Sequence, residues 1–322
     1  MIDHRLHATR DTVHFGGFSP DLPPALTVAS GDRIWVETFT GVPVYKEAPP
    51  EFLPPAFLDI CENLPPERHT GAGPHLLTGP IYLSEAQPGD VLEIRLEQIE
   101  PILPVGYTLI RPGTGALPEI FTDRALRFIE VDEKTQTIEF PAGSGIRLPL
   151  QPFFGIFGVA DQERDRNSIP PGDYGGNLDN RWLQPPCRLF LPVYLPGAML
   201  SVGDGHGLQG DGEACLTALE ISMAGVIQLH RRQDLSDLPI PLAETETAWL
   251  TMGFGETLDA AFDLALKRML TFLEMALGIS AEEAYMLCSL GVHFNITQVV
   301  NRPGKGVHGI LPKSILPRAI QI

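Results

Sequence analysis

The sequence of 322 residues is poor in cysteine and in basic side chains, and it has no long apolar run. Its four cysteines, Cys61, Cys187, Cys215 and Cys288, stand far apart with no Cys-x-x-Cys pair. That spacing reads as reduced thiols of a cytosolic protein rather than a disulfide framework. Cys187, flanked by Pro185-Pro186 and Arg188, reads as a small buried hydrophobe at a strand start. Only 23 lysines and arginines oppose 40 aspartates and glutamates, a net charge of -17. With no basic stripe, a phosphate-backbone partner is not expected. No segment is apolar for long enough to span a bilayer, and Met1–His7 lacks the apolar region of a secretory signal. The expectation is a cytoplasmic protein with neither nucleic acid nor membrane as partner. There is also no Gly-x-Ser-x-Gly elbow, and no Gly-x-Gly-x-x-Gly opening a helix after a strand.

What is abundant is glycine (32) and proline (31), spread along the chain rather than clustered. Apolar residues fill the gaps, which predicts many short strands joined by tight turns. Ser30–Glu37, Pro88–Leu96 and Pro196–Val202 each run from a glycine turn into an alternating strand, as in a sandwich or barrel. Glu47–Pro66 carries three Pro-Pro pairs and predicts an extended surface excursion that wraps a neighbouring subunit, covers a site or serves as a linker. Helix is predicted only late. Leu258, Phe262, Leu266, Met269, Leu270, Leu273 and Leu277 form one stripe, with Gly278 as C-cap. Ser280-Ala281-Glu282-Glu283 offers a capping box for a second helix through Leu287. The fold expected is mainly β with an α+β C-terminal part: a β-sandwich or barrel-like domain over 1–224, and residues 225–322 with two amphipathic helices packed on it.

The chemistry concentrates in Gly203–Glu213, Gly-Asp-Gly-His-Gly-Leu-Gln-Gly-Asp-Gly-Glu. Oxygen ligands, one imidazole and a backbone largely free of Cβ atoms suit a hydrolytic metal site, whereas a plain acidic turn has no use for the histidine. Asp204 and His206, two apart, share one face of an extended segment and could grip one ion. Asp211 and Glu213 repeat the spacing and could hold a second ion or supply a general base. Glu37, at the end of the first turn–strand unit, is a candidate third ligand. His75, fixed between Gly73-Pro74 and Gly79-Pro80, reads either as a placed ligand or proton donor, or as a hydrogen-bonded loop histidine. His14 presents the same choice. In Asp173–Asp179, Gly175 and Gly176 allow close approach of a ligand and Asn177 can pair with an amide; a tight turn is the plain alternative.

Asp173–Asp179, Pro196-Gly197-Ala198 and Gly203–Glu213, in that order, resemble the acetamidase/formamidase family. His14 with Ser30-Gly31-Asp32 and Glu37-Thr38 is similar to the family's opening, His75–Pro80 with Pro88–Leu92 to its second block, and Val299-Val300 with Gly306–Lys313 to its closing segment. The resemblance implies hydrolysis of short aliphatic amides such as formamide or acetamide to a carboxylate and ammonia. It also implies a small neutral amide as substrate, zinc with calcium as a second candidate, and a homodimer or higher homo-oligomer. On that expectation Glu37, Asp204 and His206 hold the metal. Glu213 or Asp211, with His75, moves protons; Asn177 steadies the oxyanion; His14, Gly176 and Gln209 contact substrate. Hydrolysis of another small amide or lactone, and a non-catalytic β protein stapled by calcium, are the alternatives. Phe39-Thr40-Gly41, Ala198 and Arg111-Pro112-Gly113 depart from the family pattern.

Overall fold

The alternation read in the turn–strand units becomes two stacked sheets. In the computed structural model, which describes residues 1–164, 166–320 and 322, strand Arg33–Thr38 turns Ile34, Val36 and Thr38 inward and leaves Arg33, Trp35 and Glu37 half-buried on the other face. This strand belongs to a nine-stranded sheet, in the spatial order His4–Leu6, Arg33–Thr38, Met223–Arg232, Val91–Pro101, Cys187–Pro192, Leu242–Thr245, Ala248–Gly255, Lys305–Pro312, His293–Gln298. Facing it, a six-stranded sheet runs Gly175–Asn177, Phe153–Val159, Leu200–His206, Leu76–Leu83, Val13–Phe15, with Leu26–Val28 alongside Leu76–Leu83. Both sheets are open from edge to edge, so the architecture is a sandwich rather than a barrel. Ile34, Ile94, Leu189 and Ile227 of one sheet meet Leu77, Ile81, Phe154 and Leu200 of the other in a single core. Each such side chain contributes roughly 1.5–3 kcal/mol by leaving water.

The outer face of the large sheet is covered by helices. The first helix, α1 (Pro55–Asn63), lies elsewhere; α2 (Leu258–Leu277) and α3 (Ala281–Gly291) pack Met269, Phe272, Leu273, Ala284 and Cys288 on Phe190, Trp249 and Leu311. Thr257 caps α2 and Gly278 ends it at φ 67°, while Ser280 and Glu283 form the reciprocal capping box of α3. The buried stripe of α2 is Ala261, Ala265, Arg268, Met269, Phe272 and Leu273, rotated from the predicted one, and Phe262 is exposed. The cause is Gly253, whose missing Cβ lets Ala261 and Ala265 lie directly on the sheet. α3 also runs past Leu287 to Gly291. No described helix is long and apolar enough to cross a membrane.

The proline-rich segment is not extended. Pro50, Pro55 and Pro66 each begin a helical turn, where a missing N–H costs nothing. Phe52, Phe57 and Ile60 are fully buried against Phe39, Leu76 and Tyr107, so the segment is a packed cover over one end of the sandwich. The boundary expected at 224/225 falls inside strand Met223–Arg232, which pairs with Arg33–Thr38 on one edge and Val91–Pro101 on the other. The two parts therefore share a sheet and a core.

Candidate metal and catalytic site

Three carboxylates at the centre of the molecule sit on backbone that non-glycine residues seldom adopt. Asp179, Asp204 and Glu213 have φ of 43°, 59° and 47°, and strain of this kind persists where surrounding structure enforces it. Strand Leu200–His206 carries Asp204 and His206. It pairs with Phe153–Val159, which in turn takes the Asp179 N–H on the Gly155 carbonyl at 3.1 Å. A Cβ at Gly155 would lie 2.6 Å from Asp179 Oδ1 and 2.8 Å from Asp204 Oδ2. Only glycine leaves room there for both carboxylates. Glu220 reaches the same point from a segment bridged to both Tyr107 and His206.

The result is two overlapping triads, Asp204–His206–Glu220 and Asp179–His206–Glu213, all buried, with one donor atom from each residue within 4.8 Å of the others. His206 Nε2 lies 3.2 Å from Glu220 Oε1 and 3.3 Å from Asp204 Oδ2, close but not aligned for a hydrogen bond. His206 Nε2, Asp179 Oδ1 and Glu213 Oε2 have no partner among the described residues, a costly condition for buried polar atoms unless something else satisfies them. The histidine's tautomer follows from its neighbour. Gln209 Nε2 donates to the Asp179 carbonyl at 2.7 Å, so Oε1 faces His206 Nδ1 at 2.9 Å and accepts its N–H. In the neutral ring Nε2 is then a lone pair aimed between two carboxylates, the arrangement a metal ligand needs.

The electrostatics show a demand for positive charge at this point, which a proton on His206 or a cation can meet. Burial disfavours ionised Asp204, but His206 and His75 outweigh it and hold this carboxyl below the usual range. Asp179 is pushed up to about 7 by burial, against the pull of His206 and with Asp204 adding. Glu213 rises well above the carboxylate range through burial and the nearby Asp179, and Glu220 rises through burial. Burial opposes protonation of His206, yet Glu220 and Asp204 raise it well above an ordinary histidine. Four carboxylates thus compete for positive charge in a dry site, and the oxygen-rich, single-imidazole donor set fits a divalent cation. Above the cluster opens a cavity of about 170 Å³, lined by His75, Asn177, Asp179, Asp204, Glu213 and Glu220 among others.

The family model described as Acetamidase/Formamidase family matches residues 69–166 and 161–233, a span that contains every carboxylate of this site. The chain belongs to the acetamidase/formamidase family. It is similar to an acetamidase from Bacillus halodurans, with 30% identity, a TM-score of 0.82, and coverage of 97% of this chain and 98% of that one. It is 26% identical over 276 residues to an acetamidase of Mycolicibacterium smegmatis, covering 66% of this chain and 63% of that protein. The match thus spans slightly less than two thirds of the curated relatives' length. A gamma lactamase from Delftia acidovorans, 20% identical with a TM-score of 0.61, shares the fold.

Of the residues expected to act, Asp204, His206 and Glu213 are buried together, and His75 and Asn177 line the cavity over them. His75 Nδ1 lies 2.8 Å from Ser168 Oγ, and its Nε2 lies 3.9 Å from Asp204 Oδ2. Asn177 Oδ1 is buried without a partner among the described residues. Glu37 is placed elsewhere: strand parity turns it away from the core, and its carboxylate takes the Ala8 N–H at 3.1 Å and lies 3.4 Å from His7. Asp211 is exposed and accepts from Asn295. Gln209 sits behind His206, and Gly176, at φ 76°, packs under the Tyr174 ring. Neither lines the cavity. Asp179 and Glu220 are the members that sequence reasoning passed over. Asn177-x-Asp179 repeats the two-apart spacing of Asp204-x-His206, and Glu220 is a lone acid within Ala218-Leu219-Glu220-Ile221. Both signals were present in the sequence.

His14, on the strand Val13–Phe15 of the six-stranded sheet, is fully buried, bonded to Ser201 Oγ at 2.8 Å and Thr70 Oγ1 at 3.2 Å, outside the cavity. Burial, helped by the Arg68 charge and opposed by Gly17, lowers it from 6.5 to about 3. A histidine kept neutral in the fold binds a proton in the unfolded chain first. Stability is therefore full above pH 6.5 and is lost as pH falls toward 3. Urea midpoints measured across that range should decline toward acid in the wild type, with a flatter slope for His14→Gln. Equal slopes would show that His14 does not carry this linkage.

Proposed function

We propose that this protein hydrolyses short linear amides to a carboxylate and ammonia, using a divalent cation, zinc in the first instance, held by Asp204, His206 and Glu220. The convergence of two carboxylates on the unpartnered Nε2 of His206 carries the reading. A cation bound there would act as a Lewis acid and bring the pKa of water near neutrality. Glu213, facing the cavity with Oε2 free, would be ionised by the charge of the cation, which opposes the burial and the Asp179 charge that raise it; it then takes the proton from the attacking water and delivers it to the amide nitrogen. An amine leaves poorly unless it is protonated. Asn177, whose side chain is buried at the cavity wall, donates its N–H to the developing oxyanion. Gln209 and Asn301 are positioning residues: Gln209 fixes the His206 ring, and Asn301 Nδ2 donates to Asp179 Oδ2. Exposed Tyr285, Met286 and Leu290 along α3 support assembly with a second copy of the chain.

Ammonia release from formamide, acetamide and propionamide, with and without chelator, tests this directly. The expected result is turnover that a chelator abolishes and zinc restores. Ammonia release indifferent to chelation, with no metal by elemental analysis, would remove the cation from the reaction. No release from any amide would remove the amidase reading.

A further inference from the structure

Two guanidiniums guard the cavity, and neither is used by the chemistry at its floor. Arg111 follows strand Val105–Ile110, and Arg302 lies in the loop between His293–Gln298 and Lys305–Pro312; both line the cavity and both are exposed, so they stand at its mouth. In a chain with a net charge of -17, arginines readily find carboxylates. Arg33, Arg124, Arg166, Arg231 and Arg268 each hold one. Arg111 and Arg302 hold none among the described residues, although they come from separate elements and line the same cavity. The cavity is also larger than a two-carbon amide requires. About 170 Å³ is open, by a measure on which roughly 10–15 Å³ lodges one water. Its lining also includes the buried apolar side chains of Leu76, Leu109 and Val300.

Resting on the amidase reading of the same site, we infer that the preferred substrate is a monoamide of a short dicarboxylic acid. The amide reaches the acidic floor, the methylene chain runs along the apolar wall, and the distal carboxylate binds Arg111 and Arg302. Guanidiniums suit this role because their planar donors match the two oxygens of a carboxylate. Hydrolysis consumes one water: the C–N bond breaks, a C–O bond forms, and the products are a dicarboxylate and ammonia, which takes up the released proton. Neutral amides bind at the floor alone and gain nothing from the mouth.

Steady-state kinetics of the zinc-loaded protein with glutaramate and with pentanamide, a neutral amide of equal chain length, provide the test. Wild type should favour glutaramate in kcat/KM by about 10- to 100-fold, the range expected for hydrogen bonds to a charged group. That preference should reside in KM and shrink with added salt. The Arg111→Gln/Arg302→Gln double variant should bring the ratio close to one, with Arg302→Lys in between. Independently of turnover, glutarate should raise the Tm of wild type more than butyrate does, and the double variant should lose that difference. Hydrolysis of pentanamide with no preference for glutaramate, or a preference that survives in the double variant, would overturn the inference and leave the amidase reading standing. Failure to hydrolyse either amide would bring down both.

Discussion

On the proposed mechanism, His206→Ala is expected to abolish binding of the divalent cation and to lower kcat/KM for amides by about 10²–10⁴-fold. The size follows from the position of the ring. His206 is the member common to both triads, and the only nitrogen in either. Removing it leaves Asp204 and Glu220 facing each other with no group to fix their separation, and it frees Gln209 from its role. The folded state should tolerate the loss, because like-charge repulsion among four buried carboxylates is relieved by protonation. Elemental analysis and ammonia release on the same preparation check the prediction. Near-normal activity with a full complement of metal would place the catalytic centre elsewhere.

Gly155→Ala should produce the second largest effect, although Gly155 has no functional group. The added methyl would meet Asp179 Oδ1 and Asp204 Oδ2 at 2.6 and 2.8 Å, well inside van der Waals contact. Neither carboxylate can yield easily. Asp179 is tied to Asn301, and Asp204 stands between His206 and His75. Displacing groups that orient a metal site typically costs about 10–100-fold in affinity or activity. The variant should therefore bind zinc weakly and turn over amides slowly while keeping the strand pairing of Phe153–Val159 with Leu200–His206. Circular dichroism with a zinc titration separates the two effects. Wild-type zinc affinity in Gly155→Ala would mean that the carboxylates have more freedom than their packing implies.

The sequence by itself determined the local rules. Period-two alternation gave the turn–strand units, the Thr257 and Ser280 caps with Gly278 gave the two late helices, and the two-apart spacing of Asp204 and His206 placed both on one side of an extended strand. Glu37 lies apart from the cluster, because alternation states which residues share a face but not which face meets the site. Asp211 stands between Gly210 and Gly212 and Glu213 between Gly212 and Ala214, so the local sequence hardly separates them. Only the path of the loop, with left-handed backbone at Gly212 and Glu213, sends one outward and the other in. The Pro-rich segment looked extended because proline forbids central strands, yet proline equally begins helices, and the deciding factor was the apolar surface awaiting Phe52 and Phe57.

What only the tertiary structure decided was the company each side chain keeps. Asp179 and Glu220 come from segments separate from the strand that carries His206, and pairing across the sheet, rather than any spacing along the chain, brings each of them into a cluster with His206. Local sequence encodes backbone preference and amphipathic period, which act over a few residues. The position of a charge relative to another arises from packing between elements far apart in sequence, and so it becomes visible only once those elements are in place.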